Sequence, residues 1–504
     1  MSDDAFADEK FHDQCGVFAI HAPGSTDARS VAETTFYGLY ALQHRGQEGA
    51  GISVWDPEGR RIVTHRGMSL VSRAFDETAL AKLRRGSVAI GHVRYATHGE
   101  VSLENVQPVV VKFARGELAL AHNGNLVNAG ELIRELEATG SIFQSGLDTE
   151  VFAHLISRSR AESFEDALVH ALSRVRGAYS MAMLFNDTLY AMRDPHGFRP
   201  LVLGTLKGAT VVSSETCALD LIGATYLRDL EPGEIVRVDK DGIHSFRVPA
   251  APQTTSCVFE LVYFARPDST VFGQHAYTAR AKMGVELARE FPAQADIVVP
   301  VPDSGVAAAL GYAEQSGIPY AIGLTRNHYI GRTFIQPGQD ARELKLKVKL
   351  NPMSPVLRGK RIVLVDDSIV RGTTMKLLVK MIRDAGASEV HLRISSPPIR
   401  HPCFFGVDTP DYKDLIAANK TTDEIRRFLG VDSLEHLSLN GLASAVGGER
   451  GFCRACFDGN YPVAVPSRAE LENESGSTGC DTAIRVAVPD ARDAMSVPAP
   501  ERIS

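Results

Sequence analysis

Ile362-Val363-Leu364-Val365-Asp366-Asp367-Ser368-Ile369-Val370-Arg371-Gly372-Thr373-Thr374 is the stretch that decides the fold of this 504-residue chain. Its apolar, mostly β-branched start reads as a buried strand of a parallel sheet. Two acids follow at the carboxyl end, then a loop of small, hydroxyl and glycine residues. Met375, Leu378, Val379 and Ile382 have helical spacing, and Gly386 ends that helix. In open α/β sheets ligands bind at the carboxyl ends of strands, and a helix amino terminus favours an anion. Backbone N–H groups and hydroxyls between Ser368 and Thr374 suit one phosphate. Asp366 and Asp367 suit ribose hydroxyls or a magnesium ion. No G-x-x-x-x-G-K-S/T pattern is present, so this is not a P-loop. The plainer alternative is a βα turn whose acids merely cap the helix.

The length calls for two or more domains, and 44% hydrophobic with 23% charged residues is ordinary globular composition. A net charge of −7 argues against non-specific nucleic-acid binding. No apolar run approaches the roughly 18 residues of a membrane span. Met1 to Gln14 are polar and acidic, unlike a secretory signal. Seven cysteines are too few for a disulfide scaffold. A soluble cytoplasmic protein with reduced thiols is expected.

Short strands dominate from Cys15 to about Arg247: Gly16 to Ile20, Gly51 to Trp55, Val88 to His92, Leu118 to Ala121, Ser180 to Phe185, Leu189 to Arg193 and Thr210 to Ser213. Helical patterns interrupt them near Thr34 to Leu42, Ala129 to Ala138 and Asp148 to Ala161. This predicts stacked sheets covered by helices. Pro249-Ala250-Ala251-Pro252 marks a crossing between domains. From about Asp296 strands and helices alternate, with Ile297 to Val301, Ile362 to Val365 and Val390 to Ser395 the clearest strands of a parallel sheet. After about Ser467 the composition is that of a disordered tail.

Gln14-Cys15-Gly16-Val17-Phe18 places a cysteine just before the first strand. Polar clusters end several apolar runs: Leu42-Gln43-His44-Arg45-Gly46-Gln47-Glu48, Gly91-His92-Val93-Arg94-Tyr95-Ala96-Thr97 and Ala121-His122-Asn123-Gly124-Asn125. Each has a bland reading. Cys15 alone is a small buried hydrophobe, and Asn-Gly is a strong turn signal.

Taken together, these clusters resemble the glutamine amidotransferase domain of the N-terminal-nucleophile class. The stretch from Val363 to Thr374 resembles the phosphoribosyl pyrophosphate (PRPP) motif of type I phosphoribosyltransferases. Over about Cys15 to Pro462 the chain is similar to the amidophosphoribosyltransferase family. The fold implied is an α+β glutaminase domain of stacked antiparallel sheets sandwiched by helices, over residues 15–250. An α/β phosphoribosyltransferase domain with a parallel sheet follows over 251–466. Residues 1–14 become a propeptide, and 467–504 the tail.

The resemblance makes Cys15 the nucleophile, freed as the first residue by removal of Met1 to Gln14. A free α-amine has a pKa near 8 and can act as the local base. Asn123 and the Gly124 N–H are implied to stabilise the oxyanion, one such donor typically being worth about 3 kcal/mol. Arg94 and Asp148 are implied to hold the α-carboxylate and α-ammonium of glutamine, with Arg45 and Gly46 lining the site. Asp366 and Asp367 face the ribose and its metal, Ser304 joins them as an Mg²⁺ contact, and Ser368 to Thr374 cradle the 5-phosphate. Thr325 to Ile335 resembles a mobile loop that closes over PRPP, with His328 where an arginine is expected. Lys349 is implied to approach the pyrophosphate.

Cys453-Arg454-Ala455-Cys456 is a C-x-x-C that admits a redox pair, half a zinc site or chance. With Cys257 and Cys403, four thiols would suit zinc or a 4Fe–4S cluster. Their contexts resemble the cluster-bearing branch of the family, with a structural role. Cys217 and Cys480 are left over as non-ligands.

The activity implied is transfer of glutamine-derived ammonia to C1 of PRPP, the entry step of purine synthesis. A homotetramer with feedback inhibition by purine nucleotides is implied too. A PRPP-sensing regulator with a dead amide site is opposed by the intact Cys15, Arg94, Asn123, Gly124 and Asp148. An amidotransferase with another acceptor is opposed by the PRPP loop.

Overall fold

The computed structural model describes residues 15–23, 29–95, 102–249, 251, 253–327, 350–409, 411–448 and 450–468. The expected propeptide, Thr97, most of the loop expected to close over PRPP (including His328), Lys349 and Cys480 lie outside the described residues. Contacts divide the chain at Val465/Pro466, and of the second unit only residues 466–468 are described.

Strands Gly16–His21 and Val88–Arg94 are buried along their whole length. A strand buried on both faces needs a sheet on one side and helices on the other. Both are supplied. One antiparallel sheet runs in the order Thr225–Asp229, Val202–Leu206, Ala209–Ser213, Gly16–His21, Val88–Arg94, Gly49–Asp56, Arg61–Gly67. A second runs Gly242–Arg247, Glu234–Asp239, Thr188–Arg193, Gly177–Phe185, Gly116–Leu126, Val109–Phe113. The period of two sorts each strand between two cores. Val17 and Ala19 meet Ala119, Ala121 and Ala182 between the sheets. Phe18 and Ile20 turn outward to helix Val31–Ala41 and Cys217-bearing helix Thr216–Ile222. On the far side Leu118, Leu120, Met181 and Met183 pack under helices Ala129–Ala138, Thr149–Ser157 and Phe164–Arg174. The result is the expected helix–sheet–sheet–helix sandwich.

Two local expectations are corrected. The first helix starts at Val31 rather than Thr34, because Ser30 and Glu33 close a reciprocal capping box there. Asn123-Gly124 is not a turn. It lies inside strand Gly116–Leu126, with Asn123 opposite Ser180 and Gly124 opposite Tyr179.

The carboxyl-terminal half holds a four-stranded parallel sheet in the order Ile297–Pro300, Arg361–Asp366, Glu389–Ile394, Ser433–His436. The last strand had no clear signal in the sequence. Helices Ala276–Glu290 and Val306–Ser316 cover one face. They approach so closely that a Cβ on Gly284 would stand 1.9 Å from the Ala308 carbonyl, which explains the small-residue helix. Helices Thr373–Asp384 and Thr422–Leu429 cover the other face.

Candidate active sites and a four-thiol cavity

Cys15 stands at the entry of the central strand of the first sheet, where Gly16 pairs with Val93. Its Sγ reaches the Tyr95 carbonyl at 3.6 Å. Burial raises the thiol pKa, and Asp148 and Glu48 push the same way against Arg94. The thiol is therefore neutral at rest and needs a base to react. Gly46 lies so tightly on the Arg94 backbone that a Cβ there would be 2.6 Å from the Arg94 carbonyl carbon. Arg45 sits behind the cysteine. Its Nε donates to the Cys15 carbonyl at 3.3 Å, and Nη1 and Nη2 donate to Glu260 at 3.0 and 2.7 Å.

The second sheet brings Asn123 and Gly124 to the same corner, with Asp148 as common neighbour. Asp148 Oδ2 accepts the Leu126 N–H at 2.9 Å, and its charge is felt at Cys15. His92 of the first sheet donates through Nε2 to the His122 carbonyl at 3.1 Å, tying the sheets together beneath the site. Burial pulls His92 down to about 3, so it serves as a neutral donor. The Asn123 side chain is 0% exposed, and neither its amide nitrogen nor its oxygen has a hydrogen-bond partner among the described residues. A buried amide left unpaired costs about 1–3 kcal/mol, so such groups call for an explanation. A substrate oxygen that develops negative charge would accept from the amide nitrogen and supply its missing partner.

In the other half, strand Arg361–Asp366 delivers Asp366 and Asp367, each 1% exposed, at its carboxyl end. Ser304 Oγ donates to Asp366 Oδ1 at 3.2 Å, and Ser368 Oγ donates to Asp367 Oδ2 at 2.6 Å. Ile369 and Val370 turn into the core, which anchors the loop from below. Gly372 takes φ +81, the left-handed geometry a side chain resists, and helix Thr373–Asp384 begins there. Arg371, Thr373 and Thr374 are exposed around this helix start. A short nest ends on a helix amino terminus, which suits one phosphate.

Three remote segments bring the cysteines together. Thr255–Cys257 pairs in parallel with Gly451–Cys453, Cys257 opposite Cys453. The N–H groups of Arg400 and His401 donate to the Cys456 carbonyl at 2.9 and 3.1 Å. Cys257, Cys403, Cys453 and Cys456 then line one pocket of about 410 Å³, counting space open to solvent, with Phe198, Phe259, Phe405 and Tyr461. Burial pushes the Cys257 thiol up to about 11 and raises Cys453 and Cys456 as well, the neighbouring thiols adding to it. Among the described residues no three His, Cys, Asp or Glu side chains converge on a single ion position.

A glutamine amidotransferase domain model matches residues 92–220, and a phosphoribosyl transferase domain model matches 274–395. The chain is 51% identical to the amidophosphoribosyltransferase of Synechococcus elongatus over 90% of this chain and 92% of that one. It is 48% identical to that of Bacillus subtilis, covering 90% and 95%. It belongs to the amidophosphoribosyltransferase family. The solved B. subtilis glutamine PRPP amidotransferase, complexed with ADP and GMP, superposes with a TM-score of 0.84 at 47% identity, over 90% of this chain and 98% of that one.

An amidophosphoribosyltransferase needs two separate centres, and the structure groups the sequence-derived residues accordingly. Cys15, Arg94 and Asp148 converge electrostatically, and Asn123 and Gly124 lie on the strand whose end Asp148 caps. Ser304, Asp366, Asp367 and the Ser368–Thr374 loop form the second group. Several residues went unnoticed in the sequence. Glu215 and Glu260 are 0% exposed and pair with Arg45, and Glu260 pairs also with Arg199 at 3.4 Å. Glu260 interrupts the apolar run Val258-Phe259-Glu260-Leu261-Val262, a usable signal for a buried charge with a partner.

This seam predicts an acid response. His44 and Arg45 outweigh burial and hold the Glu215 carboxyl well below the usual carboxylate range. A depressed folded pKa contributes stability above the ordinary value of 4.5 that is lost as pH falls below it. Glu215→Gln is expected to cost about 3 kcal/mol at neutral pH, as breaking a buried pair does. It should also flatten the fall of melting temperature below about pH 4.5, measured by thermal denaturation across pH.

Proposed function

We infer that this chain catalyses glutamine-dependent amination of PRPP, giving 5-phosphoribosylamine, glutamate and pyrophosphate, the first step of purine synthesis. The observation that carries the reading is the Asn123 amide, buried and without a hydrogen-bond partner among the described residues, in a corner shared with Cys15, Arg94 and Asp148. A structural asparagine would be bonded. One reserved for an oxyanion is not.

Cys15, exposed as first residue by removal of 1–14, loses its thiol proton to its own α-amine. The sulfur attacks the side-chain carbonyl of glutamine, and the oxyanion is met by Asn123 and the Gly124 N–H. The C–N bond breaks with proton transfer to the departing ammonia, and water cleaves the thioester to glutamate. Arg94 and Asp148 fix the two charged ends of glutamine. Arg45 and Gly46 hold the corner from behind. Across the molecule Ser368 to Thr374 bind the 5-phosphate, and Lys349, outside the described residues, is assigned to the pyrophosphate by family resemblance alone. Ammonia bonds to C1 as the C1–O bond to pyrophosphate breaks. Asp366, Asp367 and Ser304 would hold Mg²⁺, which would supply positive charge to neutralise the departing pyrophosphate. Two acids and a hydroxyl fit an ion that takes its remaining ligands from water and substrate phosphates.

Cys257, Cys403, Cys453 and Cys456 would hold a 4Fe–4S cluster in a structural role. A single zinc at 2.3 Å bonds needs sulfurs about 3.8 Å apart. All four thiols line one pocket, and their sequence contexts resemble the cluster-bearing branch of the family, which favours the cluster. Cys453→Ser is expected to reduce bound iron and acid-labile sulfide from about four per chain, counted on anaerobically purified protein, and to lower its melting temperature. One zinc and no iron in the parent would restore the zinc alternative.

The glutaminase half is assigned to 15–250 and the acceptor half to 251–466, working in the cytoplasm as a homotetramer. Feedback by purine nucleotides is supported by the ADP and GMP in the B. subtilis relative. Incubation with glutamine, PRPP and Mg²⁺ is the direct test. Glutamate and pyrophosphate should appear one for one, and pyrophosphate should not form without a nitrogen donor. Glutamate release without pyrophosphate, whatever the PRPP concentration, would overturn the reading.

A further inference from the structure

The loop carrying Cys403 belongs by sequence to the phosphoribosyl half, yet its apex rests on the glutamine corner. Gly406 has φ +94, and a Cβ built on it would stand 2.9 Å from both Cα and the carbonyl carbon of Gly124 and 3.1 Å from its oxygen. These are backbone atoms, so no rotamer change relieves the overlap. Gly124 has no room on its inner side. It pairs opposite Tyr179, and its own Cβ position lies 2.1 Å from the Ala178 carbonyl. The rest of the loop is clamped to the same half. Asn125 Nδ2 donates to the Phe404 carbonyl at 2.9 Å, and Arg199 Nε and Nη2 donate to the Phe405 carbonyl at 3.0 and 2.8 Å. Phe405 stacks on Phe198 with ring centres 4.2 Å apart. Cys403 sets the other end: its N–H donates to Thr409 Oγ1 at 2.6 Å, and its sulfur accepts the Phe405 N–H at 3.3 Å.

We propose that Gly406 is a positioning residue for glutamine hydrolysis, pressing from the phosphoribosyl half on the Gly124 Cα and carbonyl and so fixing the residue whose N–H faces the developing oxyanion. The inference rests on the reading of Asn123 and Gly124 given above. It makes the shape of the Cys403 loop a determinant of glutamine use and leaves PRPP amination by free ammonia untouched.

The test compares Gly406→Ala with Gly140→Ala in the full chain. Gly140 has φ +89 and nothing within 4 Å of its Cβ position, so it carries the same backbone strain without the contact. Gly406→Ala is expected to lower kcat for glutamine at least tenfold, within the about 10²–10³ of losing one oxyanion donor. The KM for glutamine should move less than about threefold, because ground-state contacts are kept. Ammonia-dependent synthesis and the rate of Cys15 alkylation by iodoacetamide should match the parent. Asn125→Ala, which removes only the Phe404 contact, should show a smaller loss in the same direction. Unchanged kcat in Gly406→Ala, equal loss in Gly140→Ala, or parallel loss of ammonia-dependent synthesis would each overturn the proposal. Glutamine hydrolysis surviving in Cys15→Ala would instead sink the underlying reading, which a silent Gly406→Ala leaves standing.

Discussion

Cys15→Ala is expected to remove glutamine-dependent synthesis of 5-phosphoribosylamine by at least about 10³-fold in kcat/KM, since losing a nucleophile costs more than losing one oxyanion donor. With ammonium salt as nitrogen source, the same variant should retain a rate within about twofold of the parent. The asymmetry follows from the architecture. Cys15 immediately precedes a strand of the first antiparallel sheet, whereas Asp366 to Thr374 lie at the carboxyl end of a strand in a parallel sheet with its own core. Removing one sulfur atom at the first leaves the second intact. The check is pyrophosphate release with each nitrogen source at saturating PRPP. Loss of both rates in a variant with unchanged melting temperature would count against two separable centres.

The state of the thiol sharpens this expectation. Burial raises its pKa, with Asp148 and Glu48 on the same side, and outweighs the Tyr95 backbone hydrogen bond and Arg94 that oppose it. A protonated thiol is a poor nucleophile, so the base must be local. A free α-amine on Cys15 supplies one that titrates near pH 8. Mass spectrometry of active enzyme should therefore find Cys15 as the first residue. Full activity with Met1 attached would rule out the amine as base.

Much of this was legible in the sequence because the decisive signals are local. Four apolar residues followed by Asp366-Asp367 and a glycine-hydroxyl loop can form only a few backbone shapes, and the observed strand Arg361–Asp366 and helix Thr373–Asp384 fit the pattern. Asn123-Gly124 went the other way. Its turn propensity is overridden by a strand paired along Leu118 to Leu126 with Gly177–Phe185. Glu215 and Gly406 were invisible as site residues, and Glu260 showed only as a charge within an apolar run, for a different reason. Their roles arise from contacts between segments far apart: Arg45 with Glu260, and Gly124 with Gly406. The same holds for the thiols. Spacing reveals the pair Cys453 and Cys456, but only the parallel pairing of Cys257 with Cys453 brings the remote cysteine to it.

Asp366→Asn combined with Asp367→Asn is expected to abolish synthesis from glutamine and from ammonia alike, the reverse of the Cys15 pattern. Both carboxyl groups are 1% exposed at a strand end, where Ser304 and Ser368 donate to them and the buried Arg280 feels the charge of Asp367. Two buried acids side by side repel each other unless a cation is shared between them. Their amides keep size and shape but cannot hold Mg²⁺ or balance its charge. Losing the several kcal/mol that such an ion gives a departing pyrophosphate corresponds to about 10³-fold in rate at 1.36 kcal/mol per decade. Mg²⁺ with PRPP should raise the melting temperature of the parent and not of the variant. Alkylation of Cys15 by iodoacetamide should proceed equally in both, because nothing in the acceptor loop touches that corner among the described contacts. A variant that kept ammonia-dependent synthesis would separate the acidic pair from the transfer step and move the metal elsewhere.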